Sequence, residues 1–307
     1  MLIKPPLIVI VGPTSSGKSA LSLELAGEFH GEIVSADSRQ IYRGMNVGTN
    51  KPTPEEQSQV PHHLLDVADP DTTYTVAEFK VAALTAIRHI HARNKLPFLV
   101  GGTGLYVQVV VDNLDLTSVP PQERLRKELE PLAIEQLRTR LKACDPVGAE
   151  KIDLHNRRRI IRAIEVSETA GVPFSELRKA GTPQFDPLML GVYQQPEVMR
   201  ERLRISGQWR LDHGILEEMQ RLHAEGISWD QFESFGLEYR RYAQYFEGKL
   251  GLEEAAELAQ KDLFAFAKRQ ITWFKRDKRI RWISTEDNAS AIVSDWLMQR
   301  AEEPVRA

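Results

Sequence analysis

The stretch LIVIVGPTSSGKS, residues 7–19, decides the reading of this chain. Its first five residues, Leu7 to Val11, are a continuous apolar run rich in β-branched side chains. Such a run reads as a strand buried on both faces of a parallel sheet. Gly12 ends it, and residues 12–19 fit the pattern G-x-x-x-x-G-K-[ST] in full, between a predicted strand and a predicted helix. That context is what a phosphate-binding loop requires. In such a loop the backbone N–H groups and the helix N-terminus face an anion, and Lys18 adds a mobile positive charge. The Ser19 hydroxyl can ligate Mg²⁺ carried by a diphosphate or triphosphate. Gly12, Pro13, Thr14, Ser15, Ser16, Gly17, Lys18 and Ser19 are therefore the candidate phosphate-binding residues. The competing reading, a plain glycine-rich turn, leaves the flanking strand and helix to coincidence.

Outward from this loop, Leu21, Leu25 and Phe29 fall at helical spacing within Ser16 to Phe29, and Ile33 with Val34 starts a second strand ahead of Asp37. Thr75 and Glu78 have capping-box form, and Phe79, Ala83, Ile87 and Ile90 share one helical face to about Asn94. Pro97 to Val100 reads as a third strand, closed by Gly101, Gly102, Thr103 and Gly104. Strands alternating with helices predict an α/β domain with a mainly parallel sheet. From about Pro120 to Thr182 the pattern turns charged, leucine-bearing and helical, as in Glu123 to Leu141 and Asn156 to Ala170. Met189 to Tyr193 returns to the sheet, and Glu197 to about Phe274 is helical again. The fold class expected is α/β: a P-loop NTPase-like parallel sheet flanked by helices, with an all-helical insertion. The expected boundaries are a first core segment over 1–119, the insertion over 120–185 and a returning core segment with C-terminal helices over 186–307. The tail after Asp287 carries no clear pattern.

At 307 residues and 42% hydrophobic content the chain has material for about two domains. Forty Lys and Arg against 43 Asp and Glu give a formal charge of −3, which excludes a polycation that coats nucleic acid indiscriminately. The single cysteine, Cys144, excludes an internal disulfide framework and a thiolate zinc finger. No apolar run approaches the ~18 residues of a membrane helix, and no cleavage site follows the first strand. A soluble, cytoplasmic protein without a membrane partner is expected.

Asp37 follows the second strand and should emerge on the same sheet edge as the phosphate loop. Three roles stay open for it: base for a nucleophile, outer ligand of Mg²⁺, or cap of the next turn. In DSRQIYR, residues 37–43, Gln40 could read a base edge and Arg39 and Arg43 could hold phosphate. GGTGLY, residues 101–106, lies on that edge as well. His62 and His63 are too close to make a metal pair alone, so packing or hydrogen bonding is expected. Asn156 to Arg162 carries four arginines in seven residues, Arg157, Arg158, Arg159 and Arg162, which suggests a phosphate backbone or else a solvated helix face. Lys268 to Arg281 interleaves basic side chains with Trp273 and Phe274, in keeping with nucleic acid or with inward-packed aromatics.

Together these motifs resemble the tRNA dimethylallyltransferases, isopentenyl transferases acting on tRNA. The resemblance runs from Ile8 to about Ile283 through GPTSSGKS at 12–19, DSRQIYR at 37–43, GTNKPT at 48–53, VPHHLLDV at 60–67, GGTGLY at 101–106, RRIIRAIEV at 158–166 and AKRQITWFKRD at 267–277. It implies transfer of a dimethylallyl group from dimethylallyl diphosphate to N6 of adenine 37 in tRNAs that read codons beginning with U, by an enzyme of the bacterial type without a zinc finger. It further implies Asp37 as the base and Thr14 beside the leaving diphosphate, with Lys18 and Ser19 holding that diphosphate and Mg²⁺ as the cofactor. The tRNA contacts it implies are Asp37, Ser38, Arg39, Gln40, Thr103, Arg126, Arg158, Arg159, Ile160, Ile161 and Arg162. The partners expected are the anticodon stem-loop and the lipid diphosphate, and the state expected is a monomer. The sequence departs from the family at Ser206, where an arginine is usual, with Arg202 and Arg204 nearby, and at Gly236-Leu237-Glu238-Tyr239 in place of Gly-Tyr-Lys. The main alternative is a P-loop kinase that uses ATP, with Asp37 activating a small hydroxyl substrate. A third reading, an RNA-binding switch without group transfer, gives Asp37 and the GGTG loop no joint role.

Overall fold

The computed structural model describes residues 4–115, 119–177, 181–284 and 287–302. The chain starts with β1 (Pro6–Val11), α1 (Lys18–Glu28), β2 (Gly31–Ser35), α2 (Pro54–Gln59), β3 (His62–His63), α3 (Val76–Ala92), β4 (Leu96–Gly101) and α4 (Gly104–Val111). Five helices follow: α5 (Glu123–Leu129), α6 (Ile134–Cys144), α7 (Pro146–Lys151), α8 (Arg157–Ala170) and α9 (Phe174–Leu177). It returns through β5 (Asp186–Val192) to α10 (Pro196–Asp212), α11 (Ile215–Ala224), α12 (Trp229–Phe235), α13 (Leu237–Phe246), α14 (Leu252–Phe274), β6 (Arg281–Ile283) and α15 (Ala289–Glu302).

The six strands form one parallel sheet in the order β3-β2-β4-β1-β5-β6. Leu7 to Val11 are wholly buried, because β1 lies between two strands and is covered on both faces, as its unbroken apolar run predicts. One buried cluster joins Ile8 and Ile10 of β1 to Leu25 and Ala26 of α1 and to Ala289 and Val293 of α15. The capping box expected at Thr75 and Glu78 starts α3, whose Phe79, Ala83, Ile87 and Ile90 are fully buried. Since all strands run the same way, the loops after β1, β2, β4 and β5 leave from one edge.

Two compact units emerge, residues 1–111 with 184–307, and residues 112–183. The helical unit thus starts eight residues before the expected boundary at 120, where α4 ends at Val111. Its core is Leu129, Leu137 and Leu141 against Ile160, Ala163 and Ile164. Asn156 caps α8 by accepting from the Arg159 N–H at 3.1 Å. Five elements escaped the sequence reading: α2, α4, the two- and three-residue strands β3 and β6, and α15 in the unpatterned tail.

Within the helical unit, Glu165 is a fully buried acid that accepts from the Gln122 N–H at 2.6 Å, from Arg126 Nε at 2.7 Å and from Arg162. Burial pushes its carboxyl up, but these donors hold it below the usual glutamate range. A depressed carboxyl contributes stability above its unfolded pKa and loses it as pH falls through the folded one. Glu165→Ala is therefore expected to destabilise the unit by about 3 kcal/mol, since it leaves two guanidinium groups and an amide without their acceptor. Faster amide hydrogen exchange across α5, α6 and α8, with the sheet strands unchanged, is the measurement that checks this.

Candidate active site

The phosphate loop forms on the first edge loop, between β1 and α1. Ser15 and Gly17 have φ of 60° and 97°, so the backbone turns through the left-handed region twice and gathers successive N–H groups. Glycine is the residue that holds the second of these turns without strain. Lys18 opens α1 and folds back, its ammonium donating to the Pro13 carbonyl at 3.3 Å. No carboxylate pairs with it in the described residues. Burial pulls its pKa below the lysine range, and the Asp37 charge pulls it partly back up. Thr14, Ser15, Gly17, Lys18 and Ser19 line an open cavity of about 340 Å³. Gly12, Pro13 and Ser16 lie beneath that surface.

Asp37, from the loop after β2, lines the same cavity. Its Oδ1 accepts from the Arg39 N–H at 2.8 Å, so the capping role is real. Oδ2 has no hydrogen-bond partner among the described residues, so the cap occupies one carboxylate oxygen and leaves the other. From the loop after β4, the Thr103 hydroxyl accepts from the Ser38 N–H at 3.1 Å, and the Thr103 N–H donates to the Ala36 carbonyl at 3.2 Å.

The remaining predicted residues divide. Gln40 spends its amide inside the protein: it accepts from Ser35 Oγ at 3.0 Å and donates to the Thr49 and Asn50 carbonyls at 3.3 and 3.1 Å. Reading a base edge would cost it those bonds. Arg43 pairs with Asp69 at 2.8 Å. Arg39 has no hydrogen-bonded or ionic partner for its guanidinium among the described residues; that group sits over the Phe235 ring at 5.7 Å, its pKa lowered by burial. His62 bonds to the Val60 carbonyl and His63 to Glu32, each at 2.7 Å, as expected of histidines in packing roles.

In the helical unit the arginine run also splits. Arg157 donates to the carbonyls of Leu129, Glu130 and Leu132, satisfying the end of α5. Arg162 bonds to Glu165 and to the Val119 carbonyl, and Arg126 holds the other side of Glu165. Arg158 and Arg159 have no side-chain partner in the described residues. Ile160 and Ile161, expected among the RNA contacts, are core residues, 0% and 7% exposed, so their side chains are not offered to a partner. They belong to the apolar face of α8, and their neighbours at 158 and 159 carry the charge.

Arg210 and Glu218 were not read from sequence, whereas Arg202, Arg204, Ser206 and Glu238 were named there without an assigned role. Arg202 of α10 lines the cavity and donates to the Ser16 carbonyl at 3.4 Å, whereas Arg204 points away into a pair with Glu201 at 2.7 Å. Ser206 accepts from Arg210 at 2.7 Å, and Arg210, also on the cavity wall, pairs with buried Glu238 at 2.8 Å. The two departures at 206 and 238 thus meet at one guanidinium, that of Arg210. The signal was present as two unusual residues, but only the fold brings them together. Glu218 of α11 accepts from the N–H groups of Asn46, Val47 and Gly48 at 2.6, 2.7 and 3.2 Å and from the Tyr239 hydroxyl at 2.7 Å, and so braces the loop that holds Gln40.

Sheet order and loop together define a protein of the P-loop class. A family model described as IPP transferase matches residues 40–277, and one described as isopentenyl transferase matches residues 5–70. The chain belongs to the IPP transferase family. It is 42% identical over 301 residues to a tRNA dimethylallyltransferase of Roseiflexus sp. (strain RS-1), covering 95% of this chain and 99% of that one. It is 41% identical over 298 residues to the tRNA dimethylallyltransferase of Shouchella clausii (strain KSM-K16), covering 95% and 96%. Among solved structures, the full-length tRNA isopentenylpyrophosphate transferase from Bacillus halodurans matches with a TM-score of 0.72 at 34% identity over 99% of each chain. A eukaryotic dimethylallyltransferase acting on tRNA matches with a TM-score of 0.78 at 28% identity, over 97% of this chain and 78% of that one.

An unpaired, partly desolvated ammonium in a ring of N–H groups should bind a diphosphate anion. Only the charged form attracts it, so affinity is full below the lowered Lys18 pKa and is lost as pH rises through it, sooner than for an exposed lysine. Calorimetric titration with inorganic diphosphate checks this: Lys18→Met should remove most of the affinity together with its alkaline fall.

Proposed function

We propose that the protein transfers a dimethylallyl group from dimethylallyl diphosphate to N6 of adenine 37 in tRNAs that read codons beginning with U. The observation that carries this reading is the cavity shared by the phosphate loop and Asp37. In the transfer the adenine nitrogen attacks the allylic carbon, the bond from that carbon to the bridging oxygen breaks, and inorganic diphosphate leaves. Negative charge grows on the leaving group, so preorganised N–H groups, Lys18 and Arg202 on that side lower the barrier. The proton shed by the nitrogen goes to the free oxygen of Asp37. The amide of Thr14 is taken by Gln270 at 2.9 Å, which leaves the Thr14 hydroxyl for the diphosphate.

Mg²⁺ fits this site as a substrate-borne ion. Ser19, a hydroxyl-bearing residue at the start of α1, lines the cavity, and a hydroxyl at this position of a phosphate loop suits an ion otherwise held through phosphate oxygens and water. When bound it would neutralise diphosphate charge, with Ser19 as its protein ligand. Arg158 and Arg159, with Arg39, supply unpaired cations for the RNA backbone. The reading takes the enzyme to work as a monomer in the cytoplasm; no described helix is long and apolar enough to cross a membrane. Family membership and the RNA-facing cations favour it over a small-molecule kinase.

Incubation of an anticodon stem-loop RNA carrying adenine 37 with the protein, Mg²⁺ and dimethylallyl diphosphate should yield N6-isopentenyladenosine by nucleoside mass spectrometry. ATP hydrolysis without that product would restore the kinase. Asp37→Ala should lower turnover by roughly 10² to 10⁴ with RNA affinity nearly intact, the range for a lost general base. Arg158→Ala with Arg159→Ala should weaken RNA binding and flatten its salt dependence by up to about two phosphate charges. An unchanged slope would return both side chains to a solvated helix face.

A further inference from the structure

Gln270 lies on α14, 256 residues from Thr14, and is 7% exposed. Its carboxamide uses both ends. Oε1 accepts from the Thr14 N–H at 2.9 Å, and Nε2 donates to the Gly102 carbonyl at 2.9 Å. Thr103, next along, bonds to Ser38 and Ala36 on either side of Asp37. A continuous set of bonds therefore runs from the phosphate loop through Gln270 and the GGTG loop to the carboxylate. Position 102 shows how tightly the bracket is built: a Cβ there would overlap Gln270 Nε2, so the amide occupies the space that glycine leaves open.

Strands β1 and β4 are directly paired as far as Val11 and Gly101, and their ladder ends where the two loops begin. Thr14 lies past the last paired residue, so the ladder does not itself hold its spacing from the GGTG loop. Gln270 does so from outside it, with a group whose donor and acceptor ends cannot be exchanged without losing both bonds. On the proposed reaction, Thr14 faces the leaving diphosphate and Asp37 receives the proton, so the spacing of the two loops sets the distance over which the allylic carbon travels.

We propose that Gln270 is a positioning residue for the transfer, holding the diphosphate cradle and the Asp37 loop in reacting register through Thr14 and Gly102. The role rests on the proposed activity and acts through those two residues; Gln270 itself touches no reacting atom. Gln270→Met keeps the length of the side chain and loses both bonds. Gly102→Ala disrupts the same bonds from the other side, by driving a methyl group into the amide.

The test is a double-mutant cycle on the full chain, with steady-state kinetics, melting temperature and inorganic diphosphate affinity measured on each variant. Each single change should lower kcat by roughly tenfold to a hundredfold, the scale of a small misplacement of reacting groups. KM for the lipid diphosphate, RNA affinity and diphosphate affinity should stay within about twofold, and the double variant should be no slower than the worse single. A merely structural glutamine would lower the melting temperature and leave kcat per folded molecule unchanged. Turnover of Gln270→Met within twofold of wild type, a loss confined to KM, or losses that multiply in the double variant would each overturn the proposal. If wild type forms no prenylated RNA, the reading of the reaction fails instead, a result distinct from any of these.

Discussion

A loop that turns backbone N–H groups toward an anion holds itself together with few hydrogen bonds of its own, so much of its shape must be imposed from outside. Here the imposition starts with β1, locked between β4 and β5 and buried along its length, which fixes where the loop begins. It continues with α1, which fixes where the loop ends. Between them the backbone passes twice through the left-handed region, and side-chain amides and a guanidinium from remote elements pin its peptide groups: Gln270 at Thr14, Gln194 and Arg202 at Ser16. The cradle is thus a product of the whole sheet edge, and Asp37 reaches it because a parallel sheet delivers its loops to one side.

Charge follows the same logic of assignment. Several arginines near the site and in the helical unit are bound to groups inside the protein, since Arg210 meets Glu238, Arg126 and Arg162 meet Glu165, and Arg157 caps carbonyls. Lys18, Arg39, Arg158 and Arg159 have no acid partner among the described residues and gain definition from that contrast. Desolvated cations without acids are costly to keep in a folded protein. Lys18 and Arg39, both partly withdrawn from water, therefore mark where anionic substrate would complete the structure.

The sheet and its loops were legible in the residues because their signals are local. A buried parallel strand advertises itself by an unbroken apolar run, a phosphate loop by two glycines and a lysine at fixed spacing, and α3 by its capping box. The two- and three-residue strands β3 and β6 had too few residues to show a period, and α15 is patterned too weakly. Near the cavity, Asp37 and Thr103 lie where their places after β2 and β4 put them, while Gln40, offered by the sequence as a base reader, has its amide bonded to Ser35 and to the Thr49 and Asn50 carbonyls. Gln270 sat unnoticed within a basic run. No spacing rule marks it, since its partners are 256 and 168 residues away.

The arginine run at 157–162 shows why composition overstates a binding surface. Four guanidinium groups on one helix look like one electrostatic feature, yet α8 turns about 100° per residue, so consecutive members face different neighbours. Arg157 falls over the end of α5, Arg162 turns toward Glu165, and Ile160 with Ile161 enters the core. What remains without a side-chain partner among the described residues is the adjacent pair at 158 and 159, the two that the proposed reading offers to RNA. The buried acid Glu165 draws Arg162 and Arg126 inward and anchors the N-terminal side of the unit at Gln122. The helix thus presents fewer cations than its sequence carries, on a face whose orientation the consumed arginines determine.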